Sequence, residues 1–318
     1  MKNERLTGVP VPVSRIVFGC AMEPMLKGQD VNELLDAMAA LGITAFDTAE
    51  NYGDSEISLG NWIRSRGNRD RIVIISKGCH PYNGRDRVTP EDLREDIEGS
   101  FERLGTDVID LYFLHRDDPK VEPGAIVEVL NEYHRKGKVR RFGGSNWTHT
   151  RIAEANAYAK EHGLIPFTIS SPNFGLCEQV NDPWGGGGGC VSIAGPKEAE
   201  ARAWYIREKM PVFAFSSLGR GMLSGKLKSS HPEEAERVLD PFAIKGYFCE
   251  ENLNRLAKAE ALAAKKGCTV SQIALAWLFA QEVDTFAIVS STNPERMRQN
   301  VRACEIELSG EEVRYLEA

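Results

Sequence analysis

The sequence predicts a closed (β/α)8 barrel, the TIM-barrel architecture. Eight short β-branched runs recur along the 318 residues, and longer amphipathic stretches separate them. The turn after the first run, FGCAMEPM, lacks the GxGxxG spacing that an open doubly wound sheet usually carries there. No linker, low-complexity tail or internal repeat interrupts the series. Residues 1–318 are therefore expected to form one domain.

Ahead of the first run, MKNERLTGVPVPV holds Gly8 and two prolines. It reads as a short hairpin closing the bottom of the barrel. The runs follow in order: RIVFG (15–19), TAFD (44–47), RIVIISK (71–77) and VIDLYFLH (108–115), then VRRFGGS (139–145), PFTIS (166–170), PVFAFS (211–216) and DTFAIVS (284–290). Their near-continuous apolar character suits strands covered on both faces. Between them, TPEDLREDIEGSFERLG sets Thr89 as N-cap and Pro90 in the first turn. Leu93, Ile97, Phe101 and Leu104 stand at helical spacing, and Gly105 ends the helix. TVSQIALAWLFAQ and NPERMRQNVRA supply two more helices near the C-terminus.

Charged residues make up 27% and the hydrophobic set 42%, an ordinary globular balance. The net charge of −7 argues against nucleic acid or an anionic membrane as the main partner. The N-terminal stretch has no apolar signal core, and the longest apolar run, IALAWLFA, is too short to cross a bilayer. Seven scattered cysteines with no CxxC pairing fit reduced thiols in the cytoplasm better than disulfides or a metal site. Nothing in the sequence sets an oligomeric state.

Barrel chemistry sits at the C-terminal ends of the strands. The second, third and fourth runs end in Asp47, Lys77 and His115, and Tyr52 follows Asp47 in the loop. Singly, each has a structural reading: a helix cap, a solvated strand end, a core histidine, a packed loop aromatic. Together they form a proton-delivery unit. A lysine and a histidine ending long apolar strands are costly to desolvate unless paired. Free tyrosine, with a pKa near 10, is a poor acid at neutral pH. A lysine about 4 Å away at an effective dielectric of about 20 stabilises its phenolate by roughly 4 kcal/mol, or about three pKa units before desolvation is subtracted. Asp47 would keep Lys77 charged, and His115 would order the substrate oxygen against Tyr52. Such a site turns a carbonyl into an alcohol, with a hydride from a cofactor, since no side chain can supply one.

At these residues the chain resembles the aldo-keto reductase superfamily over nearly its whole length. The resemblance rests on FDTAENYG, the strand ending in Lys77, DLYFLHRDD, GGSNW and SSTNPERMRQN, in that order. It implies NADPH bound extended on the barrel, without a Rossmann domain, and a tetrad of Asp47, Tyr52, Lys77 and His115 with Tyr52 as general acid. It further implies cofactor contacts at Gly19 and Cys20, and carboxamide contacts from Ser145 and Asn146. Ser171 stands where members usually offer a glutamine. Phe215 matches a ring that stacks on the nicotinamide. Ser216, Leu218 and Gly221 match pyrophosphate donors, and Lys226 adds charge. Ser291 and Arg296 match the grip on the 2′-phosphate, and Gln299 and Asn300 the adenine contacts. Ser290 replaces a common lysine, which removes one charge. NADPH is still favoured, with NADH the alternative.

The substrate is expected to be a small carbonyl compound. Met22, His80, Arg116 and Trp147, each beside a motif residue, are candidate liners. His80 and Arg116 suggest a hydroxylated or anionic substrate such as a sugar or keto sugar. The alternative for Arg116 is a structural ion pair with Asp117 or Asp118. Two other functions fit less well: a cofactor-binding redox sensor with little turnover, and a metal-dependent sugar isomerase, which would need more converging carboxylates and histidines.

WGGGGGC, from Trp184 to Cys190, is not followed by Lys-Ser/Thr and so is not an NTPase phosphate loop. It lies in a long connection, 173–196, after the sixth run. It reads either as a hinge letting Trp184 and Phe174 move over the mouth, or as a surface excursion.

Overall fold

The computed structural model describes residues 1–185 and 189–318. Strand β1 (Asn3–Glu4) pairs antiparallel with β2 (Val13–Ser14). Eight parallel strands follow: β3 (Ile16–Gly19), β4 (Ala45–Asp47), β5 (Val73–Gly78), β6 (Ile109–Leu114), β7 (Val139–Ser145), β8 (Ile169–Ser171), β9 (Val212–Ala214) and β10 (Thr285–Val289). They close into a barrel, because β10 pairs with both β3 and β9. Each expected run overlaps one of these strands, and β5 and β8 run one residue further, to Gly78 and Ser171. The sixth differs most: pairing begins only at Ile169. Pro166 has no N–H to donate, and the Phe167 N–H goes to Asn156 Oδ1 at 2.8 Å.

The runs look continuously apolar because both faces are buried, but the two faces serve different cores. Val17, Ala45, Val73, Ile75, Leu111, Phe113, Ile169, Phe213 and Phe286 turn inward and form one cluster. Ile16, Phe18, Phe46, Ile74, Tyr112, Leu114 and Phe142 turn outward into the core beneath the helices. The inner cluster is stapled by a near-parallel Phe213–Phe286 stack at 4.6 Å. It also includes Leu6, Val9, Val11 and Val13, so the expected hairpin plugs the N-terminal end of the barrel. Arg15 ties hairpin to barrel: it bonds Asp284 at 2.5 Å, and its guanidinium lies 4.6 Å over the Phe286 ring.

The helices follow their end signals. In Pro90–Leu104, Thr89 accepts the Asp92 N–H and Gly105 ends the helix left-handed at φ 62°. Val270–Phe279 begins with a Thr269/Gln272 capping box, and Pro294–Arg302 is capped by Asn293. Among the described residues no helix is long and apolar enough to cross a membrane.

Candidate active site

The two-residue period of the barrel strands builds the site. Side chains on one face recur every second residue, and the inward apolar layer has a polar layer one step above it. Ala45 is followed by Asp47, Ile75 by Lys77, Phe113 by His115, Ile169 by Ser171 and Phe213 by Phe215. All five second-step residues line one cavity of about 1640 Å³. Chemistry therefore starts where the barrel core stops.

Within that cavity the Lys77 ammonium meets both Asp47 carboxylate oxygens, at 2.7 and 2.8 Å, and the Thr48 carbonyl at 2.8 Å. The ammonium also lies 5.0 Å from the Tyr52 ring centre. Tyr52 Oη is 3.5 Å from His115 Nε2. Burial pushes the Lys77 ammonium toward neutrality, but Asp47 and Tyr52 outweigh it and hold its pKa above the usual value. Burial also pushes the Tyr52 phenol up, and Lys77 pulls it down without cancelling the rise. The lowering expected from Lys77 alone is thus reversed in the folded chain, because desolvation is the larger effect. Burial, then Lys77, Arg116 and His80, keep the His115 imidazole well below its usual range, and so neutral.

The loop carrying Tyr52 is fixed by close approach. Gly53 adopts φ 51°, and a Cβ there would lie 2.5 Å from the Leu26 carbonyl oxygen. That same carbonyl accepts the Asp54 N–H at 3.1 Å. From below, Ser55 Oγ accepts from Thr48 Oγ1 and donates to the Cys20 carbonyl. Only glycine fits this position, which explains the last letter of FDTAENYG.

Most residues expected to contact the cofactor border the cavity: Gly19, Ser145, Asn146, Ser171, Phe215, Ser216, Leu218, Gly221, Lys226, Ser291, Arg296, Gln299 and Asn300. Several polar groups among them are already engaged. Ser145 Oγ donates to the Ser171 carbonyl and Ser171 Oγ to the Phe213 carbonyl, at 2.8 and 2.7 Å, so both hydroxyls remain only as acceptors. Asn146 Nδ2 donates to the His115 carbonyl, and its Oδ1 accepts the Val191 N–H. The Gly221 N–H is spent on the Leu218 carbonyl. Cys20 does not line the cavity. It is fully buried, and its backbone N–H bonds the Asp47 carbonyl at 2.8 Å.

Of the expected substrate liners, His80, Arg116 and Trp184 border the cavity, whereas Met22 and Trp147 do not. Met22 packs in the core under the helices. Trp147 is fully buried, packs at a tilt against Phe167 and donates to the Arg116 carbonyl at 2.9 Å. Gly144 makes room for it, since a Cβ there would lie 2.5 Å from the indole. Trp184 stands 6.0 Å from Phe215, with the Arg220 guanidinium 5.2 Å over its ring. Phe174, expected beside Trp184 at the mouth, is instead buried against Trp277. The hinge expected at residues 185–189 falls mainly on 186–188, which lie outside the described residues. Asp182 accepts the N–H groups of Trp184 and Gly185 on one oxygen and of Cys190 on the other, all at 3.0 Å.

Sequence reasoning missed Arg220 and Thr292, which also line the cavity. Arg220 pairs with Asp240 at 3.2 Å and carries an unusual left-handed backbone, φ 51°, inside the GRG turn. The flanking glycines were the available signal. Asp117, offered as a partner for Arg116, binds Arg151 at 3.0 Å instead. Among the described residues no three His, Cys, Asp or Glu side chains gather as a metal ion would require.

Comparison with known proteins agrees with this geometry. Residues 15–318 match the family model described as the aldo/keto reductase family. The chain is similar to aldo-keto reductase str7 of Strobilurus tenacellus, 31% identical over 285 residues that cover 88% of this chain and 78% of the relative. It is also similar to aryl-alcohol dehydrogenase GME11368 of Pestalotiopsis microspora, 26% identical over 295 residues, 90% of this chain and 71% of the relative.

Proposed function

The chain belongs to the aldo/keto reductase family of oxidoreductases, and from that premise we propose that it reduces an aldehyde or ketone to an alcohol with NADPH. The observation that carries the reading is the buried Asp47–Lys77 pair beside Tyr52 and a neutral His115.

The cavity fits the cofactor along its length. Phe215 offers a flat face near the tetrad, and the Ser145 and Ser171 hydroxyls offer acceptors for a carboxamide NH2. At the other end Arg296 has no ion-pair partner among the described residues and borders the cavity with Ser291 and Thr292. A guanidinium there can bind a 2′-phosphate bidentately, which favours NADPH over NADH. Lys226, which also lines the cavity, adds a second cation. When bound, NADPH supplies the hydride to the carbonyl carbon.

The chain's own groups handle the proton. Tyr52, held above its usual pKa, keeps its hydroxyl proton at neutral pH and gives it to the carbonyl oxygen as the C–O double bond becomes single. Lys77 stabilises the phenolate left behind, and Asp47 keeps that ammonium charged and aimed. His115, neutral, donates a hydrogen bond from Nε2 to the carbonyl oxygen and orders it against Tyr52. Solvent then returns the proton to Tyr52.

Tyr52→Phe is expected to bind NADPH normally and to lose at least about a hundredfold in kcat, the usual share of general acid catalysis. Absorbance loss of NADPH against a panel of aldehydes and ketones measures it. Near-wild-type kcat at saturating carbonyl would end the acid assignment, and tight NADPH binding with no turnover of any carbonyl would favour a sensor.

A further inference from the structure

We propose that Arg116 anchors a carboxylate on the substrate, so that the enzyme acts on aldehydes or ketones that carry an acid group. This rests on the reductase reading of the same cavity and narrows its substrate class.

Arg116 is a charge without a partner. Its residue is 92% buried, being 8% exposed, and it lines the cavity directly after His115. Among the described residues it joins no ion pair. Its only side-chain hydrogen bond among the described residues runs to the carbonyl of His115, at 3.1 Å. The carboxylates nearest in sequence are occupied elsewhere. Asp117 is held by Arg151 at 3.0 Å, and Asp118 Oδ1 accepts the Lys120 N–H at 3.0 Å. Asp240, which also lines the cavity, pairs with Arg220. A largely buried guanidinium that opens onto the cavity, with most of its N–H groups unused by the protein, is placed to hold an anionic group there.

The residue is also held still. Trp147 Nε1 donates to the Arg116 carbonyl at 2.9 Å, and Asn146 Nδ2 donates to the His115 carbonyl at 3.0 Å. The carbonyls before and after the Arg116 side chain are thus both held by residues of GGSNW. His80 stands edge-on to His115 at 4.9 Å and gives its Nδ1–H to the Pro81 carbonyl at 2.9 Å, so Arg116 supplies the free donors on this side. A fixed planar fork beside a neutral imidazole matches a carboxylate, which accepts two parallel N–H bonds. A neutral sugar hydroxyl would leave the charge uncompensated. The cofactor's phosphates call on different residues, Lys226 and Arg296, at the strand β9 and β10 side of the cavity, whereas Arg116 follows β6 next to Tyr52 and His115.

The test uses the full chain saturated with cofactor. Turnover is measured on ω-oxo carboxylates of two to six carbons, each against its methyl ester, which keeps the aldehyde and removes the charge. Binding is measured on the matching dicarboxylates, which cannot be reduced, by tryptophan fluorescence with NADP⁺ bound. The acid should exceed its ester in kcat/KM by about a hundredfold at the best-fitting length. Arg116→Ala should erase that ratio, Arg116→Lys should keep part of it, and both should bind NADP⁺ like the wild type, which shows that they fold. The dicarboxylate signal should vanish in Arg116→Ala.

An acid-to-ester ratio near one in the wild type would overturn the proposal. So would a ratio unchanged in Arg116→Ala, even with both substrates slowed equally, because Arg116 would then act through Tyr52 or His115 rather than on the substrate's charge. Dicarboxylate binding lost in Arg116→Ala, with no oxo acid or ester reduced by the wild type, would uphold the anion site and overturn the reductase reading instead.

Discussion

Replacing Asp47 by asparagine keeps the side chain's shape and removes one charge. It leaves the Lys77 ammonium, 3% exposed, without its counter-ion. At 2.7 Å and an effective dielectric of about 20, the lost attraction is about 6 kcal/mol. Part returns as Lys77 gives up its proton or draws in water, so the net loss is about 3–5 kcal/mol, the usual cost of breaking a buried pair from one side. At about 2 °C per kcal/mol for a chain of this size, Tm falls by about 6–10 °C. Adding Lys77→Met removes the stranded charge, so the double variant recovers most of that loss while staying inactive, with no cation left beside Tyr52. Thermal unfolding followed by circular dichroism, on wild type, both singles and the double at pH 7.5, completes the cycle. A Tm for Asp47→Asn within about 1 °C of wild type, or a double variant less stable than either single, would refute the reasoning.

Three further outcomes are expected. Gly53→Ala forces a methyl to 2.5 Å from the Leu26 carbonyl at a left-handed φ. It should cost about 1–3 kcal/mol and lower kcat at least tenfold by moving Tyr52. Gly67→Ala, equally left-handed but with nothing within 4 Å, should leave kcat alone; equal kcat in the two variants would contradict the close-approach account. His115 is held well below its ordinary 6.5 by burial and neighbouring cations, so the folded chain binds fewer protons than the unfolded one in acid. Its contribution to stability is complete above about 6.5 and is lost as pH falls toward the depressed value. Tm recorded from pH 7.5 down to 5 should therefore drop less steeply in His115→Gln than in wild type, and identical slopes would count against a buried neutral imidazole. Arg296→Ala should weaken NADPH binding by about 10- to 100-fold while leaving NADH within about twofold, by fluorescence titration. Unchanged NADPH affinity would remove Arg296 from the phosphate site.

The barrel was legible because parallel strands buried on both faces read as apolar runs, and every run after the first ends at a charged or polar residue. Asp47, Lys77 and His115 stood out for that reason. Helix caps such as Thr89 and Thr269 were legible because capping is local chemistry. What depended on distant chain segments was not. Arg116 sits beside two aspartates in sequence, and only the fold shows that Arg151, 34 residues after Asp117, claims the nearer one. Cys20, Met22 and Trp147 neighbour motif residues, yet adjacency along a strand or tight turn means facing another way. Asn146 at φ 59° swings Trp147 beneath the site rather than into it. The direction of the Tyr52 shift escaped the sequence as well, because it is a balance between burial and Lys77 that requires the packed structure.

The plugged floor bears on how the chain reaches its fold. Arg15 bonds Asp284 across a sequence separation of 269, and the seam between β3 and β10 joins the first barrel strand to the last. Bringing such distant segments together costs about 5 kcal/mol in chain entropy, plus a constant, before any seam contact forms. A growing chain cannot close its barrel until residues up to Val289 exist, so β3 and β9 present open edges until β10 has been made. Closure is thus a slow, long-range step, and C-terminal truncations that remove β10 leave two unpaired strand edges, a route to aggregation.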